Sequence, residues 1–317
     1  MKYKRLRYQY FVFTIVMLTW QILLFVPNLY AQMADKNNIE NHLKKITKTK
    51  QFRNWQNVAQ LNEVATYIHD VFSQYADTVV YQEFTVENNG YKNVIASFGV
   101  ENETRIVIGA HYDVCGDQAG ADDNASGVVG LLELARMLKD KKLKYRIDLV
   151  AYSLEEPPFF MTENMGSYVH AKYLLDNKIA VKGMLGLEMI GYYSDRKKSQ
   201  DYPVEGMEKM YGDVGNFLVL SCFENAKDFT KSVGQQLTTN AKDTLPMVVL
   251  ESNNMDVHLS DHANYHALGF DACMITDTAM FRNKNYHQKT DNMETLDMQR
   301  VAIAIDYVYG SIMQYSK

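Results

Sequence analysis

His111 and Asp113 stand two residues apart at the end of the apolar run Arg105-Ile106-Val107-Ile108, which has the β-branched character of a buried strand. In extended backbone their side chains share one side, so the carboxylate can hold the second ring nitrogen of the imidazole or join it at a common ligand site. The chain turns polar from Gly109, and the loop beyond carries Asp122-Asp123-Asn124. Carboxylates crowded in this way repel unless a proton or a cation separates them. A second acidic pair, Glu155-Glu156, follows the apolar run Tyr145–Tyr152 and precedes Pro157-Pro158. The prolines block helix and keep Glu156 extended, so the two carboxylates face opposite ways; one can bind a metal while the other stays free as a base. Glu188 is the single acid in the apolar stretch Met184–Gly191 and needs a partner there, a metal or an arginine. Ser260-Asp261-His262 and Tyr286-His287-Gln288-Lys289-Thr290-Asp291 supply the remaining candidates, while His42, His69, His170, His258 and His266 read as structural or exposed.

The elements that must carry these residues alternate as in an α/β chain. Strands are expected at Thr78–Val86 and Tyr91–Phe98, joined as a hairpin by Asn88-Asn89-Gly90, and at Arg105–Ile108, ending at Gly109. Further strands are expected at Tyr145–Tyr152, Met184–Ile190, Phe217–Ser221, Pro246–Leu250 and Ala272–Thr276. Apolar residues at helical spacing place helices over Trp55–Tyr75, Ala125–Leu138 and Leu296–Tyr315. The expected architecture is one α/β domain: a three-layer α/β/α sandwich around a mixed, twisted sheet of about eight strands, with chemistry beyond the carboxyl ends of the strands.

Charge and cysteine usage narrow the function. Residues 1–31 contain Lys2, Lys4, Arg5 and Arg7, no acid, and the apolar stretch Tyr10–Val26 before Pro27 breaks the pattern. This reads as an export signal, placing residues 32–317 in the periplasm or outside the cell; a retained N-terminal membrane anchor is the competing reading. Without that segment the 33 basic residues fall to 29 against 38 acidic ones, and the formal charge moves from −5 to −9, which disfavours nucleic acid as a partner. Cys115, Cys222 and Cys273 form no CxxC and no even set, so no disulfide framework follows, though one bridge is open to them; Cys115, close to His111, could ligate a metal but reads as a small buried filler.

Taken in order, GAHYD, GADDNASG, SLEE, GLEMIGY, SDHANY and YHQKTDNMETLD resemble the motifs of the co-catalytic zinc exopeptidases of the aminopeptidase S and aminopeptidase Y type, relatives of the glutaminyl cyclases. Any one of these is short enough to arise by chance, but together they span residues 105–297. The resemblance implies a pair of Zn²⁺ ions bridged by Asp123, with His111 and Glu188 completing one site and Glu156 and His287 the other. It further implies Glu155 as general base, Asp113 as the group orienting His111, and Asp261 and His262 as pocket-lining residues. Many members carry Asp where Glu188 stands, so the longer side chain requires its strand to sit further back. The implied function is an aminopeptidase acting on peptides with a free N-terminus; a single-zinc glutaminyl cyclase and a silent peptide-binding ectodomain are the alternatives. Such a centre acidifies water, polarises the scissile carbonyl and leaves Glu155 to move the proton.

Residues 1–31 carry a prediction of their own. Expressed in its native host, the mature protein should begin at Gln32 or a near neighbour by N-terminal sequencing; a chain starting at Met1 in the membrane fraction would instead mark the anchor, and one in the cytosol would overturn both readings.

Overall fold

The computed structural model describes residues 33–316, so the export segment expected at 1–31 lies outside the described residues. The alternation of apolar runs and amphipathic stretches resolves into α1 (Lys36–Thr47), α2 (Val58–Phe72), β1 (Thr78–Val86), β2 (Asn89–Phe98), β3 (Arg105–His111), α3 (Gly127–Leu138), β4 (Arg146–Tyr152), α4 (Gly166–Asp176), β5 (Val181–Glu188), α5 (Met207–Tyr211), β6 (Leu218–Cys222), α6 (Asp228–Asn240), β7 (Met247–Glu251), α7 (His262–Ala267), β8 (Ala272–Thr276) and α8 (Met298–Tyr315). Among the described residues no helix is long and apolar enough to cross a membrane.

All eight strands join one mixed sheet in the order β1-β2-β4-β3-β5-β8-β6-β7. β1 and β2 are the expected hairpin, with Thr78 opposite Ser97 and Val86 opposite Asn89. β4, β3, β5 and β8 run parallel, whereas β6 runs antiparallel to β8 and carries β7 alongside it. Four neighbouring carboxyl ends therefore open on one edge of the sheet, where an α/β fold collects ligands.

Successive residues of β3 serve opposite layers, as the pleat requires. Ile106 and Ile108 pack with Leu61, Ile68, Leu131 and Ile305 from α2, α3 and α8, while Val107 packs with Ala171, Leu174 and Tyr265 from α4 and α7. Strand β3 continues past Gly109, where the sequence suggested it would stop, and pairs as far as His111 with Tyr152. Gly109 is a packing glycine rather than a strand terminator: a Cβ there would collide with the Tyr152 ring. Helix α2 starts three residues inside the expected Trp55 because Asn54 Oδ1 accepts the Asn57 N–H at 3.2 Å and closes a turn first. Helix α8 starts at Met298 because Asp297 caps the N–H groups of Gln299 and Arg300.

One buried cation ties the sheet to the loop beyond β3. Arg53 is 1% exposed. Its guanidinium donates to Tyr112 O at 2.7 Å, to Gly120 O at 2.6 Å and to Ala119 O. Replacing Arg53 with Met keeps much of the volume but leaves these buried carbonyls without donors, so stability in chemical denaturation should fall by ~2–4 kcal/mol. A loss under ~0.5 kcal/mol would show that the loop is held by other contacts.

Candidate metal centre

The residues singled out by spacing converge at that edge. His111 ends β3, Glu155 and Glu156 follow β4, Glu188 ends β5, and His287 lies in the loop between β8 and α8. His111 Nε2 is 3.4 Å from Asp123 Oδ1 and 3.3 Å from Glu188 Oε2. His287 Nε2 is 3.2 Å from Asp123 Oδ2 and 3.2 Å from Glu156 Oε2. Asp123 thus turns one oxygen to each of two His/Glu pairs. A tetrahedral zinc with bonds near 2.0 Å spaces its ligands ~3.3 Å apart, and these four histidine–carboxylate contacts stand near that separation.

A second observation supports the fit. Both ring nitrogens of His111, Asp123 Oδ2 and Glu156 Oε1 are buried without a hydrogen-bond partner. Buried polar atoms are rarely left so, and a cation is the partner these donor types suit. Glu188 reaches its position despite its extra methylene, and Ser260 Oγ at 2.7 Å and Asn124 Nδ2 at 3.2 Å both donate to its Oε2.

The supporting residues were less visible in the sequence. Asp113 Oδ1 faces His111 Nδ1 at 3.5 Å, an ion-pair contact at the limit of hydrogen bonding. The same carboxylate accepts the backbone N–H groups of Glu155 at 3.2 Å and Glu156 at 3.1 Å, so it aims three residues. Asp291 does the same for the acidic loop, accepting from Asp122 N at 2.9 Å and Asp123 N at 3.1 Å. Asn124 Oδ1 accepts from Met189 N at 3.0 Å, joining the loop to the end of β5. Asp122 turns away, toward Gly191 N at 2.9 Å and Asn283 Nδ2 at 2.7 Å. Burial and the neighbouring Asp277 carboxylate hold Asp122 well above the usual carboxylate range, so a proton relieves the crowding there.

Backbone strain is present here. Leu154, Met189 and His287 have φ of 62°, 48° and 56°, a left-handed conformation that costs a side-chain-bearing residue ~1–2 kcal/mol. Each sits beside or at a candidate ligand, and none is a glycine that the sequence would have flagged.

Charge compensation without a cation falls to protons. Burial disfavours a charged His111, but Glu155, Glu188, Asp113 and Asp123 outweigh it and hold the imidazole well above its ordinary value. Burial likewise opposes charge on His287, yet Asp123 and Glu156 raise it to about 10. Asp123 is pulled the other way: burial favours its neutral form, but the two histidines hold it below the usual carboxylate range. Burial, then the Asp123 charge, lifts Glu156 to about 8, and burial with Glu156, Glu188 and Asp261 lifts Glu155 well above an ordinary glutamate.

An apolar cleft of about 170 Å³ opens beside the centre. Asp123, Glu155, Glu156, Glu188 and His287 form one end; Phe160, Phe217, Leu250, Leu259, Met274 and Phe281 line the rest. The segment 200–211 supplies part of the wall through Tyr202, Pro203, Met207 and Tyr211. Asp261 and His262, read from the sequence as pocket-lining, are absent from this wall. They are 1% and 0% exposed at the start of α7, which packs inward between α4 and β8; His262 Nε2 meets His258 Nδ1 at 3.0 Å. His170 and His258, read as structural or exposed, are structural: they bond to Tyr265 Oη at 2.5 Å and to Ser252 O at 2.7 Å.

Fold and site together define a three-layer α/β/α protein with candidate metal donors gathered on the carboxyl edge of a mixed sheet. The chain belongs to peptidase family M28, whose model matches residues 93–310. It is 38% identical over 295 residues to the uncharacterized protein YfbL of Escherichia coli K12, covering 87% of each chain. A probable leucine aminopeptidase of Arthroderma otae is 27% identical over 63% of this chain, which spans 50% of that protein's length. Among solved structures, the LapA aminopeptidase of Legionella pneumophila superposes with a TM-score of 0.71 at 18% identity, over 89% of this chain and 72% of that one. A Porphyromonas gingivalis glutaminyl cyclase superposes with a TM-score of 0.68 at 18% identity, over 89% and 98%. These two establish the fold alone.

The protonation pattern sets a pH dependence with a definite sign. His287, raised from 6.5 to about 10, stabilises the metal-free fold fully below pH 6.5 and loses that contribution as pH rises to about 10. Glu156, raised from 4.5 to about 8, is neutral in the fold at low pH and is penalised as it ionises. Both make the metal-free fold hold more protons than the unfolded chain, so its Tm should drop by about 5 °C or more between pH 5 and pH 9. Zinc should reverse the drop and release protons on binding, measurable by calorimetry in buffers of different ionisation enthalpy. A flat Tm with no proton release would contradict this electrostatic account.

Proposed function

We propose that the protein is an exported aminopeptidase that removes apolar N-terminal residues from peptides at a carboxylate-bridged dizinc centre. The observation that carries this reading is the division of Asp123, one oxygen 3.4 Å from His111 Nε2 and the other 3.2 Å from His287 Nε2, while Glu188 and Glu156 stand 3.3 Å and 3.2 Å from the same two nitrogens. Zinc bound there would supply Lewis acidity, polarising the scissile carbonyl and acidifying water.

The chain's own residues supply the rest. Glu155 is 5% exposed, lines the cleft, and stands 3.8 Å from His111 Nε2, outside both close sets. Its buried carboxylate is placed to take a proton from the attacking water and return it to the leaving amine. Asp113 fixes the Glu155 backbone, so the base does not drift into a ligand position. Asp123, Glu155, Glu156 and Glu188 make the inner end of the cleft acidic, which suits the charged amino group of an unblocked peptide. The first side chain of such a peptide then extends along Phe217, Leu250, Met274 and Phe281. The export component rests on residues 1–31, and the aminopeptidase names of the fungal and Legionella proteins agree with the reading.

The two adjacent glutamates separate the assignment. Glu155→Gln should keep both metals and lose hydrolysis of leucyl or phenylalanyl peptides by ~10²–10⁴. Glu156→Gln should lose one metal, and its activity should recover in part as zinc is raised. A Glu155 variant that loses metal beside a fully loaded but dead Glu156 variant would reverse the roles. Full activity in both variants would remove the mechanism, and pyroglutamyl product with ammonia from glutaminyl peptides, at one zinc per chain, would mark a cyclase.

A further inference from the structure

The three cysteines form no disulfide. Cys222 and Cys273 are buried, their thiols near Leu250 O and Met184 O. Cys115 is half-buried and lies in the loop between Asp113 and the acidic cluster. That loop is anchored rather than free: Asn54 Nδ2 donates to Gly116 O at 2.8 Å, and Arg53 holds Ala119 O and Gly120 O. Cys115 Sγ, a carboxylate oxygen of Glu156 and a ring nitrogen of His287 all lie within 4.8 Å of one another. Glu156 is 3% exposed, and its Oε1 has no hydrogen-bond partner.

We infer that Cys115 is a fourth protein ligand to the cation held by Asp123, Glu156 and His287, bound in the resting enzyme and displaced by the amino group of an arriving substrate. This rests on the metal-centre reading above. A zinc–sulfur bond of ~2.3 Å and a zinc–nitrogen bond of ~2.1 Å in a tetrahedron put the two atoms ~3.6 Å apart. The thiol therefore closes at most about an ångström, which rotation about its own χ1 supplies. Three protein ligands leave a zinc open for chemistry, whereas four close it. With Cys115 bound, the position a substrate amine would take is filled. The exchange balances: the α-ammonium of the substrate gives a proton to the departing thiolate, the metal–sulfur bond breaks and a metal–nitrogen bond forms. No atom is oxidised or reduced, and the site closes again when the free amino acid leaves.

The test uses the full chain loaded with cobalt(II). The resting wild type should show a thiolate-to-cobalt charge-transfer band in the near ultraviolet, bleached by leucine. Cys115→Ser should bind two cobalt ions without the band and show a several-fold lower KM for unblocked peptides. In the wild type, saturating zinc should slow iodoacetamide labelling of Cys115, located by peptide mapping, at least ~10-fold, and leucine should restore it. Cobalt bound at both sites with no band, or labelling indifferent to zinc, overturns the ligand and leaves the dizinc reading standing. A chain that binds no cobalt overturns both.

Discussion

The structure depends on holding like charges together in the dry interior. Asp123, Glu155, Glu156 and Glu188 are each between 2% and 6% exposed, and they meet at the ends of neighbouring strands. Mutual repulsion would splay side chains that were free to move, so the fold removes that freedom through the backbone. Asp113 and Asp291 hold two consecutive amides apiece, at the second acidic pair and at the first. Neither faces the cleft, and each is itself a buried acid; the site is kept in shape by further carboxylates accepting from amides rather than by basic side chains. Arg53 is the exception, a buried cation beneath the loop whose charge reaches Asp291, Asp123, Asp113 and Glu156.

This arrangement follows from the polarity of the sheet. Because β4, β3, β5 and β8 run parallel, each strand delivers its last residue to one edge, and the loops leaving them need travel only a short way to meet. The register does the fine placement: His111 sits opposite Tyr152, three residues before Glu155, and Glu188 opposite Thr276. The antiparallel pair β6 and β7 extends the same sheet sideways and gives the cleft its apolar floor through Val219, Val248 and Leu250. Acidic centre and apolar wall are thus successive parts of one sheet, so an extended peptide can engage both without a domain closing over it.

Much of this was legible in the sequence, for identifiable reasons. Strands buried on both faces read as unbroken apolar runs and the half-exposed β1 as an alternating one, so all eight strands were placed within a few residues. Candidate site residues at strand ends are polar interruptions of those runs, which is why His111, Glu155, Glu156 and Glu188 stood out. Helix α1 did not, because only Ile39, Leu43, Ile46 and Thr47 are buried in a segment that is otherwise polar. Asp113 was read for its neighbour in sequence, His111, while its firmer bonds go to residues 42 and 43 positions away. Arg53 and Asn124 act through backbone partners that the fold alone brings near. Asp261 and His262 sit in a polar motif that looks like pocket lining, but α7 turns them into the interior.

Where the protein leaves its own polar atoms unsatisfied says more than the ligand distances do. Other buried charges are paired within the chain: Asp148 takes both Arg105 and Arg146, and Asp271 takes the Thr230 hydroxyl and amide. At the centre, Asp123 Oδ2, Glu156 Oε1 and both His111 nitrogens make no hydrogen bond, although donors such as Ser260 and Asn124 stand close enough to serve Glu188. Strained backbone at Leu154, Met189 and His287 maintains this, since relaxing any of them would swing a ligand toward other partners. A site built only for stability would have let those atoms pair. Sustaining both the strain and the orphaned atoms is intelligible when something outside the chain completes them, and buried histidine and carboxylate donors gathered in this way suit a small divalent cation.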